Sequence, residues 1–172
     1  LLAEAGTRGA EARRFTFGSL VWKLGGVEVA SPSAAQLRSL AEGDGVWLKH
    51  SWSKSDPFGF LFGTTPSWLA YSATAPRNAC RRLAELELTA GVAPAARHLT
   101  PLFGPSLGQP FDYDAMTLAL RVFLVAGAGV AEADLDKYSI HSFRITVATC
   151  LAAAKCPIDK IKRLLRWRSD DS

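Results

Sequence analysis

Cysteine is scarce: Cys80, Cys150 and Cys156 are the only three in 172 residues. Their odd number lacks the paired spacing of a zinc site or a redox motif, so they read as free or buried thiols. A run of apolar residues long enough for a membrane is lacking as well. The most hydrophobic stretch, Ala115 to Ala131, is interrupted by Arg121 and is too short to span a bilayer. No N-terminal segment has the charged, apolar, small-residue order of a signal peptide, and there is neither an internal repeat nor a low-complexity tract. These absences exclude a disulfide scaffold, a membrane-spanning chain and a repeat array, and they lead us to expect a soluble intracellular protein with no membrane partner.

What is present fits one globular domain over residues 1–172. Apolar residues make up 48% and charged residues 21%, which is enough to bury a sizeable core and argues against global disorder. The net charge is +4 and the sequence pI is near 9.2, favouring a polyanionic partner. The excess is localised: from Lys137 to Ser172, eight basic against three acidic side chains leave +5.

Local patterns predict an α+β chain that is mostly helical. Helical segments are expected within Leu1 to Arg14, and Phe15 to Trp22 reads as a strand or extended entry. Gly25 to Gly45 reads as loop around a short helix at Ala34 to Ala41. Val46 to Trp52 and Phe58 to Phe62 suit two strands, and Ser53-Lys54-Ser55-Asp56-Pro57 supplies turn chemistry between them. The result is a β-hairpin with Lys54 at its tip. A helix is expected over Arg77 to Thr89, with Pro76 in its first position and Gly91 beyond its end. After a proline-rich loop at Pro101 to Pro110, Asp112 or Asp114 can cap a helix running to Ala126. Two further helices are expected to begin near His141 and near Pro157.

The segment "YSIHSFRITVATCLAAAKCP", Tyr138 to Pro157, opens a helix with two polar side chains. On a wheel of about 100° per residue, Ile140, Phe143, Val147, Cys150 and Leu151 form an apolar stripe. Arg144 falls at its margin, His141 lies one step further round, and Ser139 is placed to cap. A helix N-terminus favours an anion, and a guanidinium adds a fork matched to two phosphate oxygens. Alone, the pair suits an arginine salt-bridged at a domain edge beside a core-satisfied histidine better than a phosphate site. Three other sites bear on it: Arg8, at a glycine-flanked turn with Glu11 three residues on; Lys54; and Trp167 in the basic "IKRLLRWRSDDS".

In this order and in these elements, the residues resemble the catalytic domain of the tyrosine recombinase, or phage integrase, family. That family's pattern is an arginine in a Gly-x-Arg-x-x-Glu segment, a lysine on a β-hairpin, His-x-x-Arg, a histidine or tryptophan, and a nucleophilic tyrosine. Arg8 with Glu11, Lys54, His141 with Arg144, and Trp167 match it position by position. "HSFRITVATCLAAA" and "SKSDPFG" are the specific parts, whereas Gly25 to Gly45 matches little.

The resemblance implies the DNA breaking-rejoining fold, with a small antiparallel sheet and a β-hairpin. It implies site-specific recombination or integration through a 3′-phosphotyrosyl intermediate, with no metal and no cofactor. Arg8 and Arg144 would clamp the non-bridging phosphate oxygens, and Lys54 would protonate the leaving 5′-oxygen. His141 would hydrogen-bond the phosphate and help move a proton, a task suited to imidazole. Trp167 would donate its indole N–H or pack the site. Lys160, Lys162, Arg163, Arg166 and Arg168 would meet the backbone of double-stranded DNA.

The family's tyrosine falls a few residues past Ser172, and Tyr71, Tyr113 and Tyr138 do not match its place. The N-terminal DNA-clamping domain is likewise not represented, so a truncated catalytic domain is expected, inactive without the tyrosine. In the family the full-length protein works as a homo-tetramer on DNA. Two alternatives stay open: a catalytically inactive DNA-binding relic of a mobile-element integrase, and an enzyme like the type IB topoisomerases. A basic amphipathic helix over Lys160 to Arg168 would also suit a membrane surface or an acidic partner.

Overall fold

The computed structural model describes residues 9–50, 66–76, 78–165 and 167. Its sheet begins where two glycines reverse the chain. Gly25 and Gly26 have φ of 56° and 86°, the pair of positive values that a two-residue type I′ hairpin turn requires. They join β1 (Leu20–Leu24) to β2 (Val27–Val29). Two more strands, β3 (Gly45–Leu48) and β4 (Ser67–Ala70), complete an antiparallel sheet of order β2-β1-β3-β4. Leu20 faces Leu48, Trp22 faces Val46, and Val46 faces Leu69. Because strand side chains alternate, these residues share one face, and all five are at most 4% exposed.

Helices cover that face. Two short ones come first, α1 (Gly9–Ala12) and α2 (Ala34–Arg38), the latter opened by a reciprocal Ser33–Gln36 capping box. The longer α3 (Ala79–Ala90) buries Cys80, Leu83, Ala84 and Glu87 in the same core as Trp22 and Leu69. Asn78 caps α3 by accepting from the Arg81 N–H at 2.9 Å, and its amide donates to the Ala70 carbonyl at 2.9 Å, tying the helix start to β4. Gly91, at φ 56°, ends the helix in the left-handed conformation.

A second, smaller cluster follows. Asp112 caps α4 (Tyr113–Val122), which runs on through a π-helical turn, Phe123–Gly127. Leu120 and Leu124 pack with Ile140, while Met116 touches both this cluster and the main core. The last helices are α5 (Ser142–Ala153) and α6 (Ile158–Leu165), which pack on each other. The architecture is therefore α+β, with helix predominating over a small antiparallel sheet.

Several local expectations change. The strand expected at Phe15 to Trp22 starts only at Leu20, after a 3-10 turn at Phe17–Ser19. The segment expected to be loop holds β2, and β4 was not anticipated. Asn78, not Pro76, governs the start of α3. Ser139 does not cap α5; its own N–H donates to the Ser142 hydroxyl at 3.0 Å, and His141 occupies the cap position. Arg8, Lys54 with the expected hairpin tip, Arg166 and Arg168 lie outside the described residues.

Candidate functional site

The start of α5 is built by backbone bonds onto one carbonyl. Arg144 and Ile145 donate their N–H groups to the His141 carbonyl at 3.0 and 3.2 Å. Ile140, just before, is held in the small core at 8% exposure. That anchor fixes the first turn, so His141 and Arg144 project as the i and i+3 members of one patch. His141 is exposed, whereas Arg144 is 1% exposed and among the largest fully buried side chains. The wheel had put Arg144 at the margin of an apolar stripe; packing draws it wholly inside, while Cys150 of that stripe is exposed.

The end of α5 sets where α6 lies. The Cys156 N–H donates to the Leu151 carbonyl and the Lys155 N–H to that of Ala152, both at 2.9 Å. Lys155 is left-handed at φ 57°. This is a Schellman termination with a non-glycine residue in the strained position. Pro157 then opens α6, whose Ile161 and Leu165 are buried at 2% and 0% exposure. Lys160 and Arg163 are exposed and Lys162 is half-buried. Past the helix, the Trp167 N–H donates to the Lys162 carbonyl at 2.9 Å, turning the chain back.

The consequence is a cleft of about 670 Å³ lined by His141, Arg144 and Trp167. Ile145, Ala148, Thr149 and Ala152 of α5 and Ile158 and Ile161 of α6 supply the rest of its wall. Small residues along α5 leave the room, and the cationic and indole donors gather at it. A cleft with a mostly apolar wall and a few polar groups is the usual form of a binding site. The polar groups at it are a guanidinium, an imidazole and an indole, each able to donate a hydrogen bond, and among the described residues no carboxylate lines it.

Glu11 is buried at 2% exposure on α1 and does not line this cleft. None of Tyr71, Tyr113 and Tyr138 lines it either. Among the described residues, no group of His, Cys, Asp and Glu is arranged to hold a metal ion, and no helix is long and apolar enough to cross a membrane.

One polar network escaped the sequence reading. Arg97 makes a bidentate bond to Glu87, with both N–O distances at 2.6 Å, and also donates to the Phe17 carbonyl at 3.0 Å. The Trp22 indole N–H donates to the same carboxylate at 3.1 Å. It ties α3 and the chain after it to the buried face of β1. Only a glutamate placed among the apolar positions of α3, beside Leu83 and Ala84, hinted at it. No known protein-family model, curated protein or solved structure matches this chain.

Proposed function

We propose that the chain is the phosphate-binding part of a tyrosine-recombinase-like catalytic domain that cleaves and rejoins DNA strands. The observation that carries this reading is the cleft itself. His141 and Arg144 open α5, Trp167 follows α6, and the fold brings all three to one cavity. In this reading a DNA phosphate sits there. Arg144 and Arg8 hold its non-bridging oxygens, where charge grows in the five-coordinate transition state and preorganised donors stabilise it. His141 hydrogen-bonds the phosphate and passes a proton, and Lys54 protonates the departing 5′-oxygen. Glu11 supports Arg8. Burial of Arg144 suits this role, because a fixed guanidinium reorganises little as charge develops.

The exposed cations of α6, Lys160 and Arg163, together with Lys162, Arg166 and Arg168, contact the backbone of double-stranded DNA in this proposal. The attacking tyrosine is supplied from beyond Ser172. The protein is then intracellular and DNA-associated, and assembles as a tetramer on DNA.

The test uses the protein extended along its coding sequence past Ser172, incubated with a nicked duplex. A covalent protein–DNA adduct on a denaturing gel is expected. In the same protein, Arg144→Ala should lower the cleavage rate by about 100- to 1000-fold. The 172-residue chain should bind duplex without forming an adduct. Duplex binding with no adduct in an extended protein that does contain a tyrosine would sink the enzymatic reading in favour of an inactive DNA-binding relic. Relaxation of supercoiled plasmid without site preference would favour topoisomerase chemistry.

A further inference from the structure

The sheet has a second face outside the main core cluster, on which Val21 is buried at 8% exposure. Alternation puts Val21 and Lys23 of β1, Trp47 of β3 and Trp68 of β4 on the side opposite Trp22, Val46 and Leu69. Neither tryptophan belongs to the main core cluster, and both are half-buried. Trp47 and Trp68 are register partners, with ring centroids 4.7 Å apart and planes inclined at 50°. Gly45 explains how Trp68 lies down: a Cβ at that position would collide with the Trp68 ring. The strand gives up a side chain there, and the indole is held against its backbone.

Cations stand on both sides of this pair. Lys23 occupies the neighbouring register row, opposite Gly45, and Lys49 continues the alternation two residues beyond Trp47. Along the strand direction they are roughly 13 Å apart. Lys49 is exposed. Glu28 faces Lys23 from β2 and offsets part of its charge.

We propose that this outer face is a second nucleic-acid contact, one that stacks the unpaired bases of single-stranded DNA on Trp68 and Trp47. Lys49 and Lys23 meet the phosphates on either side. Aromatic side chains on an antiparallel sheet, edged by positive charge, are suited to this because every base presents a π-face. The inference rests on the reading above only for the class of partner, since its site is separate from the cleft. Breaking and rejoining strands between duplexes necessarily exposes unpaired bases, which gives such a contact a use.

The probe is an oligothymidylate of about 12 nucleotides, compared with a duplex of equal length. It should quench tryptophan fluorescence in the 172-residue chain. Trp68→Ala should weaken oligothymidylate binding at least about 5-fold while leaving duplex binding unchanged, and Trp68→Phe should largely restore it. Lys49→Glu should weaken it and Glu28→Gln should strengthen it. Both change exposed side chains, so they decide the matter even where the tryptophan variants fold poorly. Oligothymidylate affinity unmoved by Lys49→Glu and Glu28→Gln overturns the inference. Self-association of the chain that Lys49→Glu abolishes, with no quenching by the oligonucleotide, overturns it too and assigns the face to a second copy. Arg144→Ala reads the other site: unchanged duplex binding in that variant counts against the cleft and leaves the sheet result standing on its own.

Discussion

Glu87 and Arg97 illustrate how much one buried carboxylate holds. Their side chains are 4% and 7% exposed, and the bidentate pair also satisfies the Trp22 indole and anchors the Phe17 carbonyl. Two charges removed from water are tolerated because each meets the other with good geometry, yet removing one strands its partner in low dielectric. Glu87→Ala should therefore destabilise the fold by about 3–5 kcal/mol, read from the midpoint of urea unfolding. By contrast, the exposed Arg82–Glu85 pair at 2.7 Å is well solvated. Its loss should change the same midpoint by less than about 0.5 kcal/mol. Arg144 is also buried, so its alanine variant mixes stability with chemistry. Arg144→Lys separates them: it keeps the charge, loses the fork, and should lower cleavage while retaining most duplex binding.

Among elements, the turns hold the clearest stored cost. Lys155 ends α5 in the left-handed region, where a Cβ is disfavoured by about 1–2 kcal/mol. Lys155→Gly relieves that strain but raises the entropy of the unfolded chain, so a net gain of about 0.5–1 kcal/mol is expected in thermal unfolding. Gly26 is the reverse case. Nothing lies within 4 Å of a Cβ built there, so Gly26→Ala meets no neighbour, and its whole penalty comes from φ of 86°. A loss of about 1–2 kcal/mol should follow. Two elements that the residue patterns did not announce, β2 and β4, are short: three and four residues. They exist because β1 and β3 offer edges to pair with, and a short strand has too few alternating residues to declare itself. The glycine pair at 25 and 26 was the one available signal for β2.

For the molecule as a whole, the distribution of charge matters more than its net value. The C-terminal excess reaches the surface on α6 through Lys160 and Arg163. If these meet phosphates, the double change Lys160→Gln, Arg163→Gln should lower the magnitude of the logarithmic salt slope of duplex binding by about 2, one per contact. An unchanged slope would remove α6 from the DNA interface. The same variant should leave stability within about 0.5 kcal/mol, because neither side chain is buried.

The amino-acid sequence by itself determined the composition class, the α+β character, the four later helices and the stop at Gly91, and it narrowed one helix cap to Asp112 or Asp114, of which the structure uses Asp112. Each of these rests on local chemistry: helical periodicity, a side-chain oxygen that can accept, or a glycine free to turn left-handed. It also singled out His141, Arg144 and Trp167 by type and spacing. Only the tertiary structure decided that Arg144 is buried while His141 stays exposed, and that Trp167 returns to the same cleft. Those outcomes depend on how α6 packs against α5, on the Lys155 turn between them and on Ile140 held in the small core. They are set by the turn between two helices and by contacts between separate elements, which no periodicity within a single helix encodes.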